Sequence, residues 1–277
     1  MSRRGWTLHE MLISLGVMSG VMALAAHLAS GQLRFFRNAG ELAALRGQIG
    51  QASNIAASVL RGVSSAGGDI AVALDSAIEV HAATAVAFVC ASTPGRVTIP
   101  EPTLGNTLAS FMERPDVGDR MSALFEDTLG VTWLTFHVAE PGTSGGVCLY
   151  FPDVPSTRTL VIREPVTLPT GAALRFTRPV RLSLYRGSDS RWYLGLRDWN
   201  GEWQRFNAIQ PVAGPLKSYS QDSGRTGLQF MYRDRGGAVL LPPVDPTRIA
   251  SITVVSRAAL GQFDDSTAVT VALRNAR

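Results

Sequence analysis

The sequence predicts an α+β fold: a long N-terminal α-helix, membrane-spanning in its first half and amphipathic in its second, packed on a mainly antiparallel β-sheet domain. Three observations predict it. Met11 to Gln32 contains no Asp, Glu, Lys or Arg. From Leu33 to about Arg61 the apolar residues fall on one side of a helix. Beyond residue 69 the chain is rich in Val, Thr and aromatic residues, in short runs bounded by Gly, Pro and Asp. A chain of 277 residues that is 45% hydrophobic and 17% charged can bury a large core and is not of disordered composition.

The uncharged run is the first element. About 20 apolar residues, each rising 1.5 Å, cross a hydrocarbon core of roughly 30 Å. Arg3 and Arg4 precede the run, so the positive-inside bias leaves the extreme N-terminus in the cytoplasm and sends the rest of the chain across. A cleaved secretory signal peptide is the alternative, with Ala23-Leu24-Ala25 as its small-residue site. Against it, the apolar stretch runs past the usual length and the helical pattern continues beyond any such site. Glu10 is the anomaly, because a carboxylate in lipid costs about 3 kcal/mol on insertion scales.

The second element continues the first. Leu33, Phe35, Phe36, Leu42, Leu45, Ile49, Ile55, Val59 and Leu60 recur among charged and polar residues, with spacings of three and four at 42/45, 45/49 and 55/59, which predicts one apolar stripe lying on a globular domain. No proline interrupts the chain before Pro94, and the paired glycines Gly67 and Gly68 supply a stop. A helix from Trp6 to about Arg61 is roughly 85 Å long.

The third element is the strand-like remainder. Residues 77–92, 131–140, 145–153, 159–168, 179–187 and 190–206 read as strands. Asn200-Gly201 reads as a two-residue hairpin turn.

Composition and candidate sites narrow the function. The net charge is +4, Lys217 is the only lysine, and the arginines are scattered among acids; phosphate tracking needs clustered positive charge, so no nucleic-acid partner is predicted. Cys90 and Cys148 each sit in an apolar strand-like stretch. They form a disulfide if the domain lies outside the cytoplasm and are buried thiols otherwise. Neither His81 nor His137 stands at zinc-ligand spacing from a cysteine, and both read as packed or edge histidines. Asp222, Asp234, Asp245, Asp264 and Asp265 read as solvated loop acids rather than calcium ligands. Trp192, Tyr193, Trp199 and Trp203 read as cross-strand packing on a hairpin. No catalytic residue, metal or cofactor is expected. The rival reading is a membrane-anchored or secreted β-rich enzyme, which needs a catalytic pair among His81, His137 and the loop acids.

Gly5, followed by Trp6-Thr7-Leu8-His9-Glu10-Met11-Leu12-Ile13-Ser14-Leu15, resembles the N-terminal motif of the type IV pilin and pseudopilin superfamily: Gly, a bulky apolar residue, Thr-Leu, an apolar residue, Glu, then a long hydrophobic helix. Trp6 stands where phenylalanine is usual and His9 where an aliphatic residue is usual. The resemblance implies cleavage after Gly5 by a prepilin peptidase, N-methylation of Trp6, and a register role for Glu10, whose carboxylate meets the N-terminal amine of a neighbouring subunit. It divides the chain into a cytoplasmic leader (1–5), a transmembrane helix (6–33), its amphipathic continuation (34–63) and a β-rich domain (70–277). Leu228, Phe230, Tyr232, Arg248, Ile249, Ile252 and Val254 fall in a pattern similar to the C-terminal half of PilW-type minor pilins and of J-type minor pseudopilins of type II secretion, with residues 70–175 as a variable insert. The resemblance implies a non-enzymatic, single-pass inner-membrane subunit whose partners are other pilins or pseudopilins, prepilin peptidase, the assembly platform and membrane lipid. It is incorporated at or near the tip of a pilus, or alternatively into a type II secretion pseudopilus.

Overall fold

The computed structural model describes residues 8–103, 108–127, 130–146, 148, 154, 156–222 and 224–274. Its one α-helix among these residues, α1, runs from Leu8 to Leu60. The helix ends before the predicted glycine pair, at the turn containing Gly62. Residues 8–37 are all exposed, and the buried face consists of Leu45, Ile49, Ala52, Ser53, Ala56, Ala57 and Leu60. The predicted stripe is therefore corrected at its start: Leu33, Phe35 and Phe36 do not pack on the domain. Packing close to the sheet is carried by alanines, whose small side chains let the helix axis approach.

The strands are β1 (Ile70–Ala73), β2 (Ala77–Phe88), β3 (Ala91–Thr93), β4 (Arg96–Pro100), β5 (Ala109–Phe111), β6 (Arg120–Asp127), β7 (Gly130–Ser144) and β8 (Thr157–Ile162). There follow β9 (Ala173–Arg186), β10 (Trp192–Asn200), β11 (Arg205–Phe206), β12 (Gln210–Leu216), β13 (Leu228–Arg233), β14 (Val239–Leu240), β15 (Ser251–Leu260) and β16 (Phe263–Ala272). All strand pairs are antiparallel, as the sequence predicts. They form two sheets rather than one, of 12 and four strands, the smaller ordered β14-β13-β15-β16.

The long pair β2–β9 is the spine. Val80 lies opposite Val180 and Phe88 opposite Ala173. The other edge of β9 is shared: residues 174–177 pair with β6 and residues 180–186 with β10. Pro179 sits at the changeover, where the absent N–H removes no ladder bond to a third strand. Each half of the spine covers a separate core. In the first core α1 packs with Ile78, Val80, Leu182, Leu194, Phe230 and Val254. In the second, Val97, Ile99, Met121, Val138, Leu160 and Phe176 pack together. Residues within 85–176 thus build a core of their own and share the spine with the first, to which Ile70, Ala73, Ile78 and Val80 belong.

The C-terminal sheet explains its sequence pattern. Leu228, Phe230 and Tyr232 alternate inward and lie opposite Ser256, Val254 and Ile252. Tyr232 is fully buried, and its hydroxyl donates to the Leu74 carbonyl at 2.6 Å. Burial, helped by Asp75, pushes its ionisation far above the usual tyrosine range. The β15–β16 hairpin lies under α1, held by Ser53 and Ser256 hydroxyls 3.1 Å apart and by Arg46 Nε donating to Asp265 at 3.1 Å.

Candidate functional site

The free half of α1 is an exposed apolar surface. Between Leu8 and Phe36 Leu, Met, Val, Ile and Phe side chains are exposed around the helix, far more apolar surface than a monomer in water normally shows. By length and composition this segment can cross a membrane. Its polar side chains are arranged for an apolar setting. Ser14 donates to the Glu10 carbonyl at 2.8 Å, Ser19 to Gly16 at 2.9 Å and Ser30 to His27 at 2.8 Å, so three hydroxyls spend their protons inside the helix. Glu10 stands in the first described turn, where the helix dipole favours a negative charge. Gly5 and Trp6 lie outside the described residues.

Cys90 and Cys148 are joined by a disulfide, with Cα atoms 4.6 Å apart across a separation of 58 residues. Neither lies in a strand, contrary to the sequence reading: Cys90 occupies the bend between β2 and β3, and Cys148 follows β7. The bond closes one end of the second core, where both residues are buried.

A charged network not anticipated from sequence sits at the C-terminal end of α1. Asp69, 1% exposed, accepts at Oδ2 from the Ser64 N–H and from Arg175 Nη2, both at 2.7 Å. Arg175 Nη2 also donates to the Gly62 carbonyl. Arg120 Nη2 lies 3.8 Å from Asp69 Oδ1, and its guanidinium donates to the carbonyls of Gly67 and Gly68. Ser122 opposes Arg175 and Arg120 opposes Thr177, so both arginines project from the face opposite Met121 and Phe176. The helix end is thereby tied to β6 and β9. On the other face Arg178 makes a bidentate pair with fully buried Asp119, at 2.7 and 2.9 Å. Burial pushes Asp119 upward against the pull of Arg178, while Asp119 holds Arg178 firmly protonated.

His81 lies beside the Asp69 network. Burial first, then Arg120, depress its pKa below the ordinary 6.5, with Asp69 opposing. Its folded state therefore resists a proton that the unfolded chain accepts, so its stabilising contribution is complete above about pH 6.5 and is lost as pH falls. The expected result is a denaturant midpoint that declines between pH 7 and 5, with a slope below about 1.4 kcal/mol per pH unit. His81→Gln flattens this limb; identical slopes in the two proteins would show that another group titrates. Below this range Glu101 takes over. The Ser156 hydroxyl and Arg158 hold its carboxyl below the usual range, so its contribution is present above about 4.5 and lost in stronger acid.

The other predicted positions are locally engaged. His137 Nδ1 is 3.0 Å from Glu164 Oε1 at the surface. The five acids do not converge, and two of them, Asp264 and Asp265, lie in β16 rather than in loops. Asp264 pairs with Lys217 and Asp265 with Arg46, Asp222 pairs with Arg225, Asp234 accepts from Ala238 N–H, and Asp245 caps a short 3-10 turn. Asn200 pairs with Arg205 across Gly201 to Gln204, so the hairpin exists but its turn has four residues, closed by Asn200 Oδ1 accepting from Trp203 N–H at 2.9 Å. A side chain at Gly201 would collide with the Val117 carbonyl, and this close approach docks the hairpin on the loop before β6. Trp199 packs edge-on to Phe206 at 5.2 Å and Tyr193 against Tyr185 at 6.1 Å. Trp203 instead stays 62% exposed, with the Arg205 guanidinium 4.4 Å from its ring centre.

Fold and site together define, among the described residues, one membrane-capable N-terminal helix whose second half is packed on an antiparallel β domain, a shape compatible with that of pilins. Compared with known proteins, it matches no family model, no curated protein and no solved structure.

Proposed function

We propose that the chain is a structural minor pilin or pseudopilin, anchored in the inner membrane and assembled into a filament through α1. The observation that carries this reading is the division of one unbroken helix into an exposed apolar half and a half packed on the β domain. Such a subunit is covered by lipid before assembly and by the helices of its neighbours afterwards. The sequence motif adds the processing chemistry: removal of Gly5 and the residues before it leaves an α-ammonium on Trp6. The carboxylate of Glu10 is then relieved by the amine of an adjacent subunit, since a charge in a low-dielectric setting is tolerated when paired. Partners on this reading are prepilin peptidase, the assembly platform, other pilins and membrane lipid. A pilus is preferred to a type II secretion pseudopilus.

The test is N-terminal sequencing with mass measurement of the mature protein recovered from membranes. N-methylated Trp6 is the expected start, and a start near Ala26 would overturn the reading. A second expectation concerns assembly. Glu10→Ala leaves the protein in the membrane at normal abundance and lowers its recovery in sheared filaments at least tenfold; unchanged recovery removes the pairing role.

A further inference from the structure

We infer that Arg34, Phe35, Phe36 and Arg37 form a collar that binds phospholipid headgroups and seats the β domain directly on the membrane surface. The inference rests on the membrane-anchor part of the reading above and is independent of cleavage or filament assembly. Met11 to Gln32, the run without charge, spans about 33 Å as a helix, which matches a hydrocarbon core of roughly 30 Å. Leu33 to Arg37 then falls at the headgroups. Phe35 and Phe36 are each 68% exposed, with ring centres 5.9 Å apart in an edge-on contact. The Arg37 side chain is 80% exposed. Among the described residues, no part of the β domain covers them.

Aromatic rings and long cationic side chains are the groups that settle at this depth, the rings among the upper acyl chains and the guanidiniums reaching the phosphates. Arg34 and Arg37 are one turn apart, so both can serve one patch of headgroups, and a planar guanidinium suits a phosphate diester.

The domain begins immediately above. Asn38 is the first helix residue that is half-buried, and Glu41 lies beside Gly261 in the β15–β16 turn, about 6 Å of helix beyond Arg37. The acids at this end do not oppose the phosphates, because each is paired: Glu41 with Arg37, Asp264 with Lys217 and Asp265 with Arg46. The helix is therefore a short post rather than a tether, and the hairpin turn rests near the headgroups. The occupant is an anionic phospholipid surface.

The native cysteines are bonded to each other, so a nitroxide on a single introduced cysteine reports one position. Val21→Cys, Leu33→Cys and Gly40→Cys in the full chain, reconstituted in vesicles of phosphatidylethanolamine and phosphatidylglycerol, give depth from collisions with oxygen and with a water-soluble nickel chelate. The expected order is hydrocarbon at position 21, the headgroup boundary at 33 and water at 40. In non-ionic detergent, native mass spectrometry should show phosphatidylglycerol retained by the unaltered chain. The double variant Arg34→Gln, Arg37→Gln should retain about tenfold less, while inorganic phosphate does not displace the lipid. Nickel access at position 33 equal to that at 40 overturns the collar, as does equal retention by the double variant or displacement by inorganic phosphate. Nickel access at position 21 overturns the membrane anchor itself, whereas failure of the filament reading leaves all three depths unchanged.

Discussion

Asp69→Asn is expected to destabilise the folded domain by about 3 kcal/mol. Removing one partner of a buried ion pair costs about 3–5 kcal/mol, because the remaining charge keeps its desolvation penalty. Two charges remain here. Arg120 and Arg175, with side chains 17% and 19% exposed, would face a neutral amide in place of the carboxylate and would keep only the carbonyls of Gly62, Gly67 and Gly68. Their residual solvent contact sets the estimate at the low end of the range. Asparagine fits the same volume, so the loss reports charge and hydrogen bonding rather than a cavity. The measurement is the urea midpoint of the full chain in detergent, for Asp69→Asn, Arg175→Met and the double variant. A strong coupling makes the double variant less damaged than the sum of the two singles. Additive losses, or a loss below about 1 kcal/mol for Asp69→Asn, would show that the helix end is held by packing alone.

The second large effect belongs to the disulfide. Opening a loop of 58 residues costs about 4 kcal/mol in the chain-entropy model. The loss should be local. The cysteines close the second core, whereas α1 packs only in the first. Cys90→Ala with Cys148→Ala, or reduction of the unaltered chain, should therefore expose the region from Val89 to Ile162 to protease or amide exchange before the helix–sheet half responds. Uniform loss of protection across both halves would instead mean that the β2–β9 spine makes the two cores one cooperative unit.

Much of the architecture was legible because it follows from local patterns. The uncharged run, the one-sided continuation and the alternation of Leu228, Phe230 and Tyr232 are periodicities, and periodicity survives without tertiary information. The errors have equally local causes. Phe35 and Phe36 look like the start of the packed stripe, but burial depends on where the domain ends, and no described residue of α1 before Asn38 is even half-buried. Ala52, Ala56 and Ala57 are fully buried because the helix comes close to its sheet, a distance no single residue encodes. Asn200-Gly201 predicts the shorter turn, but tertiary docking on Val117 selects a four-residue one.

The charged network was not legible at all. Asp69 follows a Gly-Gly pair and reads as a turn acid, while Arg175 lies 106 residues further on. Only the register of β6 against β9 puts Ser122 beside Arg175 and so turns both arginines toward the helix end.

By itself the sequence determined that the chain has a helix apolar enough for a membrane, that the helix continues with one apolar face, and that antiparallel strands follow. These are consequences of side-chain hydrophobicity repeating at the period of one element. Tertiary structure alone decided that the strands divide into two sheets and two cores along a shared spine, that the helix is first shielded at Asn38, and that Asp69 anchors the helix end. Each of those depends on contacts between residues tens to hundreds of positions apart, whose energies come from shared burial and paired charge rather than from any local pattern.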